Sequence, residues 1–170
     1  MDGMLLTAAL LIPALVIAIV FHEVAHGWAA LALGDPTAKE QRRLTLNPIR
    51  HVDPVGTLLV PGALALFGGP VFGWAKPVPV AFGNLRNPRR DMILVAAAGP
   101  GSNLVMALGW ALIAAAQVSV LQIGGSTGQW IIQVCQVGIF INVLLALFNM
   151  LPIPPLDGGQ ILMALLPRSV

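Results

Sequence analysis

The sequence predicts an all-α polytopic membrane protein. Three core transmembrane helices are expected, with a re-entrant or β-hairpin-like segment between the first and the second. Three observations predict it. The 170 residues are 57% hydrophobic and 9% charged, where soluble domains carry about 25% charged residues. Apolar stretches at 4–33, 91–117 and 129–151 each exceed the length of about 18 residues at which a spanning helix becomes the natural reading. The basic residues are segregated: Lys39, Arg42, Arg43, Arg50, Lys76, Arg86, Arg89 and Arg90 all fall between the first and second stretches, and Arg168 follows the third.

The first helix is expected at about 4–33. Its only polar side chains are Thr7, His22, Glu23 and His26. Pro13 is a possible kink that neighbouring helices can accommodate, and Gly34-Asp35-Pro36 supplies the stop. The stretch has no basic leader and no small-residue cleavage site, so it reads as a retained helix rather than a signal peptide. Residues 35–53 are polar and basic, with a turn-like Thr45-Leu46-Asn47-Pro48. Residues 54–72 are apolar but broken by Gly56, Pro61, Gly62, Gly68, Gly69 and Pro70. They either re-enter or form an extra span. A crossing would put the two flanking basic loops on opposite sides, against the positive-inside tendency, whereas re-entry leaves every Lys and Arg on the cytoplasmic side. Re-entry is therefore preferred.

Residues 73–90 are expected to be extended, because Ala75-Lys76-Pro77-Val78-Pro79-Val80 has too much proline for a helix and suits a strand edge. The second span, about 91–117, carries the small-residue patch 96–103, which lets helices approach closely. An uncharged loop, 118–128, leads to the third span, about 129–151, with Trp130 as an interfacial anchor. The C-terminal piece 152–170 contains a last apolar run, 161–166, too short to cross.

The net charge of +2 and pI near 9.3 do not imply nucleic acid, since the basic residues belong to membrane loops. Cys135 is the only cysteine. It excludes an intrachain disulfide and a cysteine-based metal site, and is expected only to pack.

The chemistry is concentrated in His22-Glu23-Val24-Ala25-His26. Ionisable groups at membrane depth cost a few kcal/mol each and usually mark function. His22 and His26, spaced i and i+4, share one helix face; two such imidazoles can hold zinc, with Glu23 as general base. The bland alternative is hydrogen bonding to neighbouring helices. Asp157, in a proline-rich apolar segment, is the candidate third ligand, two His and one carboxylate being a familiar catalytic zinc set. Its alternative is a turn or the N-cap of a short last helix. Asn149 could contact a substrate carbonyl or developing oxyanion, or bond between helices. Asn103 has the same two readings, with the structural one favoured. Asn142 has no partner motif and reads as structural. His51 and Asp53 could pair or line the cytoplasmic mouth, and are not expected to be ligands.

Taken together, these motifs resemble the site-2 protease family of intramembrane zinc metalloproteases. His22–His26 matches the family HExxH, Gly99-Pro100-Gly101-Ser102-Asn103 its GPxxN element, and Asn149 through Gly158 its NxxPxPxxDG element. They occur in the family order over about residues 20–160. Asn47-Pro48 through Val80 also resembles the loop-and-hairpin segment of small bacterial or archaeal members.

The resemblance implies one zinc per chain on His22, His26 and Asp157, with Glu23 and Asn149 catalytic. It implies a multi-pass protein of the cell membrane whose site lies within the bilayer near the cytoplasmic face. The implied activity is cleavage of single-span membrane proteins within or beside their transmembrane segment, after trimming by another protease. A strand edge at 71–80 would hold the unwound substrate. Members usually carry at least one more helix after the Asp-Gly motif, so 152–170 is expected to be either a truncated end or that of a naturally short form. The alternatives are a non-proteolytic membrane metal-binding protein and a catalytically lapsed family member.

Overall fold

The computed structural model describes residues 2–68 and 73–167. Three helices are long and apolar enough to cross a membrane: Ala8–Ala32, Pro88–Leu121 and Gly125–Asn149. The first belongs to α1 (Asp2–Ala32), which passes through Pro13 as helix. The second is α4 (Pro88–Ala116), prolonged in π form to Leu121, and the third is α5 (Gly125–Asn149). Between α1 and α4 lie the single turn α2 (Thr37–Glu40), a 3-10 turn at Pro48–His51, and a π-turn Pro54–Leu59 that runs into α3 (Val60–Leu66). A short α6 (Asp157–Leu165) closes the described chain.

Pairings fix the helix directions. His22 meets Asn103 and His26 meets Val95, so α1 and α4 are antiparallel. Asn103 meets Asn142, and Trp110 lies against Gly138, so α4 and α5 are antiparallel too. The basic segments therefore cluster at one end of the bundle, and the uncharged connection between α4 and α5 lies at the other. That connection is shorter than the expected 118–128, because apolar residues without charge or proline continue α4 to Leu121 and α5 begins at Gly125.

Packing is inverted relative to a soluble bundle. Small and polar residues face inward: Ala18, Ala96, Ala107, Asn103 and Asn142 are buried, while Leu104, Val105, Leu108 and Leu112 are exposed. Water does not tolerate such a surface, but lipid does, and close helix contact through small residues is how membrane helices associate. Cys135 is buried and free, as expected of a packing residue.

The segment between α1 and α4 departs from expectation. No strand forms among the described residues. Residues 54–66 are helical, roughly 20 Å long, which falls short of a hydrocarbon core of about 30 Å. The chain then returns to where it left: Trp74 N–H donates to Gly56 O and the Thr57 hydroxyl to Trp74 O. The excursion is thus hydrogen-bonded to itself at its base. The far tip, 69–72, lies outside the described residues.

Residues 75–81 are extended, as their prolines require, but do not pair as a strand. Pro77 and Pro79 have no N–H to offer. The Lys76, Val78 and Ala81 N–H groups go to His51 O, Glu23 and Asp35. Arg43, buried, holds the Lys76 and Pro77 carbonyls.

Candidate active site

His22 and His26 lie on one face of α1, about 15 Å and about 9 Å of helix before its end at Ala32. The fold brings Asp157 to them as the first residue of α6. His22 Nε2 is 3.1 Å from Asp157 Oδ2, His26 Nε2 is 3.4 Å from Asp157 Oδ1, and the two Nε2 atoms are 3.0 Å apart. Among the described residues these three form the one group of His, Cys, Asp and Glu able to share a metal, with all ligand atoms within 4.8 Å of one another.

The tautomers decide what these atoms are. His26 Nδ1 lies 2.7 Å from the Val95 carbonyl, which only accepts, so Nδ1 carries the proton. His22 Nδ1 lies 2.7 Å from Asn103 Oδ1. The Asn103 NH2 is committed to Asn142 Oδ1 and Ala18 O, so its oxygen faces the imidazole, and His22 Nδ1 carries the proton as well. Both Nε2 atoms are then bare lone pairs directed at each other and at a carboxylate, and Asp157 Oδ2 is buried with no donor. Three acceptors without a donor repel unless a cation lies between them, so the site fits zinc by its donor set.

The neighbouring elements are shaped around this cluster. A methyl group on Gly99 of α4 would lie 2.5 Å from His26 Cε1 and 2.7 Å from His22 Cε1, so glycine is what lets α4 reach the imidazoles. Gly158 and Gly159 likewise seat the start of α6 against the backbone of 150–154. At its other end, Arg89 donates to the last carbonyls of α6, those of Ala164, Leu165 and Leu166, which satisfies a helix terminus and fixes the element that carries Asp157.

Beside the cluster is a cavity of about 610 Å³, lined among others by Glu23, Val78, Val80, Asn149 and Gln160. Glu23 Oε2 accepts the Val78 N–H at 2.8 Å. Asn149 faces the same cavity, but its NH2 donates to Leu145 O on its own helix. His51 and Asp53 stand apart from the site and from each other. His51 bonds Thr45 O, and Asp53 caps the following turn through Val55 and Gly56. The sequence did not mark Val95, whose role is a backbone carbonyl, or Val78, whose role is an N–H. Asn103 was visible in its motif but favoured as structural.

A membrane bundle with a His-His-Asp cluster and an adjacent glutamate is the arrangement of a membrane metalloprotease, and comparison with known proteins agrees. The model of peptidase family M50 matches residues 115–170. YwhC of Bacillus subtilis (strain 168), whose name classes it with zinc metalloproteases, is 41% identical over the whole chain and 77% of its own length. Rip2 of Mycolicibacterium smegmatis, similarly named, is 31% identical over 81% of this chain and 49% of its own. No solved structure matches. The chain belongs to peptidase family M50 and is a zinc metalloprotease of the site-2 type.

Proposed function

We propose that the protein is a zinc-dependent endopeptidase of the cell membrane that cleaves single-span membrane proteins within or beside their transmembrane segment. The observation that carries the reading is the convergence of the His22 and His26 Nε2 lone pairs and the Asp157 carboxylate in a bundle whose lipid-compatible faces surround them. These three residues would hold the zinc at the wall of the cavity they line. Bound there, zinc would supply Lewis acidity to water and to the scissile carbonyl. Glu23, on the same helix and lining the same cavity, takes a proton from water and later gives it to the leaving amine. Asn149 donates its amide to the developing oxyanion, which requires it to turn from Leu145 O on substrate binding.

A helical substrate hides its backbone, so it must be extended before attack. The extended residues 75–80 flank the cavity and support a reading in which the substrate lies alongside them. Pro77 and Pro79 confine any pairing to carbonyls and to the remaining N–H groups. The basic loops at the α1–α4 end support a cytoplasmic mouth, and the tied excursion 54–74 supports re-entry at that side. A pre-trimmed single-span protein would be admitted most readily, having little bulk outside the bilayer.

The test is cleavage of a tagged single-span substrate by purified protein in detergent with zinc. Wild type cleaves, and Glu23→Gln binds zinc but does not. Full activity of Glu23→Gln would overturn the mechanism. Zinc binding by a wild type that cleaves no membrane substrate would overturn the substrate assignment.

A further inference from the structure

Asn103 and Asn142 are both 0% exposed, in the middle of helices that face lipid. Primary amides at such depth are retained only when their hydrogen bonds are met, and these form a continuous chain across three helices. Asn142 Nδ2 on α5 donates to Gly138 O at 2.8 Å. Asn142 Oδ1 accepts from Asn103 Nδ2 on α4 at 3.0 Å, and the same NH2 reaches Ala18 O on α1 at 3.2 Å. Asn103 Oδ1 is then left for His22 Nδ1 at 2.7 Å.

We propose that Asn142 is a positioning residue of the metal site, one that acts through Asn103 to determine which nitrogen of His22 carries the proton. The inference rests on the assignment of His22 as a zinc ligand. An amide is polar at both ends. Rotated by half a turn, Asn103 would point its NH2 at His22 Nδ1, draw the imidazole proton to Nε2 and remove the lone pair that a metal needs. Two acceptors oppose that rotation. Ala18 O is the more distant and already serves the helix backbone; Asn142 Oδ1 is nearer. Asn142 is itself unable to rotate, because Gly138 O accepts and cannot donate. The direction of every amide in the chain thus descends from one helix carbonyl on α5, and the result is delivered to α1.

The rival account is that Asn103 and Asn142 only tie the helices together. The two accounts rank substitutions in opposite order. Asn142→Leu keeps the volume and suits a membrane helix, but removes the acceptor. Asn142→Asp is the poorer residue for lipid, but a carboxyl there is driven to its neutral form and then reproduces both the acceptor and the donor of the amide. Leu should be the milder variant for stability and Asp the milder one for the site.

The experiment is performed on full-length protein in detergent, with ¹⁵N-labelled histidine. In metal-free wild type, His22 shows a protonated Nδ1 and a bare Nε2. In Asn142→Leu the Nε2-protonated form appears, and zinc affinity by chelator competition falls about 10-fold, the lower end of what loss of a partner behind a ligating histidine causes. Asn142→Asp retains the wild-type tautomer and affinity to within about 3-fold, less than that 10-fold loss. Asn142→Ala makes the same prediction as Leu if the longer side chain disturbs folding. An unchanged His22 tautomer in both Leu and Ala variants overturns the proposal, as does an Asp variant that behaves like Leu. If wild type shows the expected tautomer but binds no zinc, the zinc assignment fails while the amide chain stands.

Discussion

Substituting Gly99 by alanine sets helix propensity against site geometry. In an exposed helix interior alanine is favoured over glycine by about 0.8–1.0 kcal/mol, so propensity alone predicts that Gly99→Ala stabilises α4. The structure predicts the opposite. The added methyl would stand 2.5 Å from His26 Cε1 and 2.7 Å from His22 Cε1, whereas comfortable carbon–carbon separation begins near ~3.5 Å. The imidazoles must retreat by about 1 Å, or α4 must move away from α1 by as much. Overpacking of this kind costs about 1–3 kcal/mol. The larger effect is on metal: ligand distances tolerate only about ±0.2 Å, so a 1 Å retreat should weaken zinc binding, by the same order as the roughly 10²-fold that a 1 Å misplacement costs in catalytic rate. Zinc competition and thermal unfolding in detergent read the two effects. Gly101→Ala and Gly109→Ala are the controls, since a methyl at either meets nothing within 4 Å, and these should bind zinc normally. Wild-type zinc affinity in Gly99→Ala, or an equal loss in Gly101→Ala, would refute the reasoning.

Two further predictions concern the extended segment. Val78→Pro removes the N–H that Glu23 accepts from a stretch already rich in proline. A hydrogen bond to a charged group contributes about 1.5–3 kcal/mol, and this one is partly exposed, so kcat should fall about 10-fold with zinc affinity unchanged; unaltered turnover would show that the contact does not orient the base. Asp35 is 0% exposed. Burial pushes its carboxyl up, but Thr37, Asn84 and Ala81 donate to it and hold it below the ordinary carboxylate value. A depressed value in the folded state means that its stabilisation is complete above the ordinary pKa of about 3.9 and is lost as pH falls through the lower, folded one. Residues 75–84 should therefore become protease-sensitive in acid, and Asp35→Asn should show that sensitivity at neutral pH. If the variant's loop is as resistant as wild type at pH 7, Asp35 is not the anchor.

How much of this was legible in the sequence depended on whether the signal was local. The three spans follow from hydropathy, and His22, Glu23 and His26 from spacing along one helix, so both were readable. Asp157 was reachable because a two-histidine site lacks a third ligand and no other acid lies on a nearby apolar segment. Val95 and Val78 were not reachable. Their roles are a carbonyl and an N–H, which almost any residue could supply, and they acquire meaning only from the register between α1 and α4 or from the path of 75–81. Gly99 was legible as part of a small-residue patch, but not as the point that meets the imidazoles. The expected strand edge failed for a related reason. Proline content correctly indicated extended backbone, but the Val78, Ala81 and Lys76 N–H groups were claimed by Glu23, Asp35 and His51 O, which sequence distance hides.

The register itself explains why α4, which contributes no metal ligand, is the element on which the site depends. Val95, Gly99 and Asn103 are spaced i, i+4 and i+8 and so form one stripe of that helix. Antiparallel to it, α1 presents His26 and His22. The stripe therefore meets the imidazole pair in order: a carbonyl for His26 Nδ1, a gap for both rings, an amide oxygen for His22 Nδ1. A shift of α4 by one turn, about 5.4 Å, would place the gap where an acceptor is needed and an amide where the rings sit. Both tautomers and the spacing of the ligands would be lost together, although His22, His26 and Asp157 themselves were untouched. Metal affinity in this fold is thus a property of the α1–α4 register as much as of the ligands. Substitutions that perturb this helix contact, such as Gly99→Ala, should weaken zinc binding before they unfold the bundle.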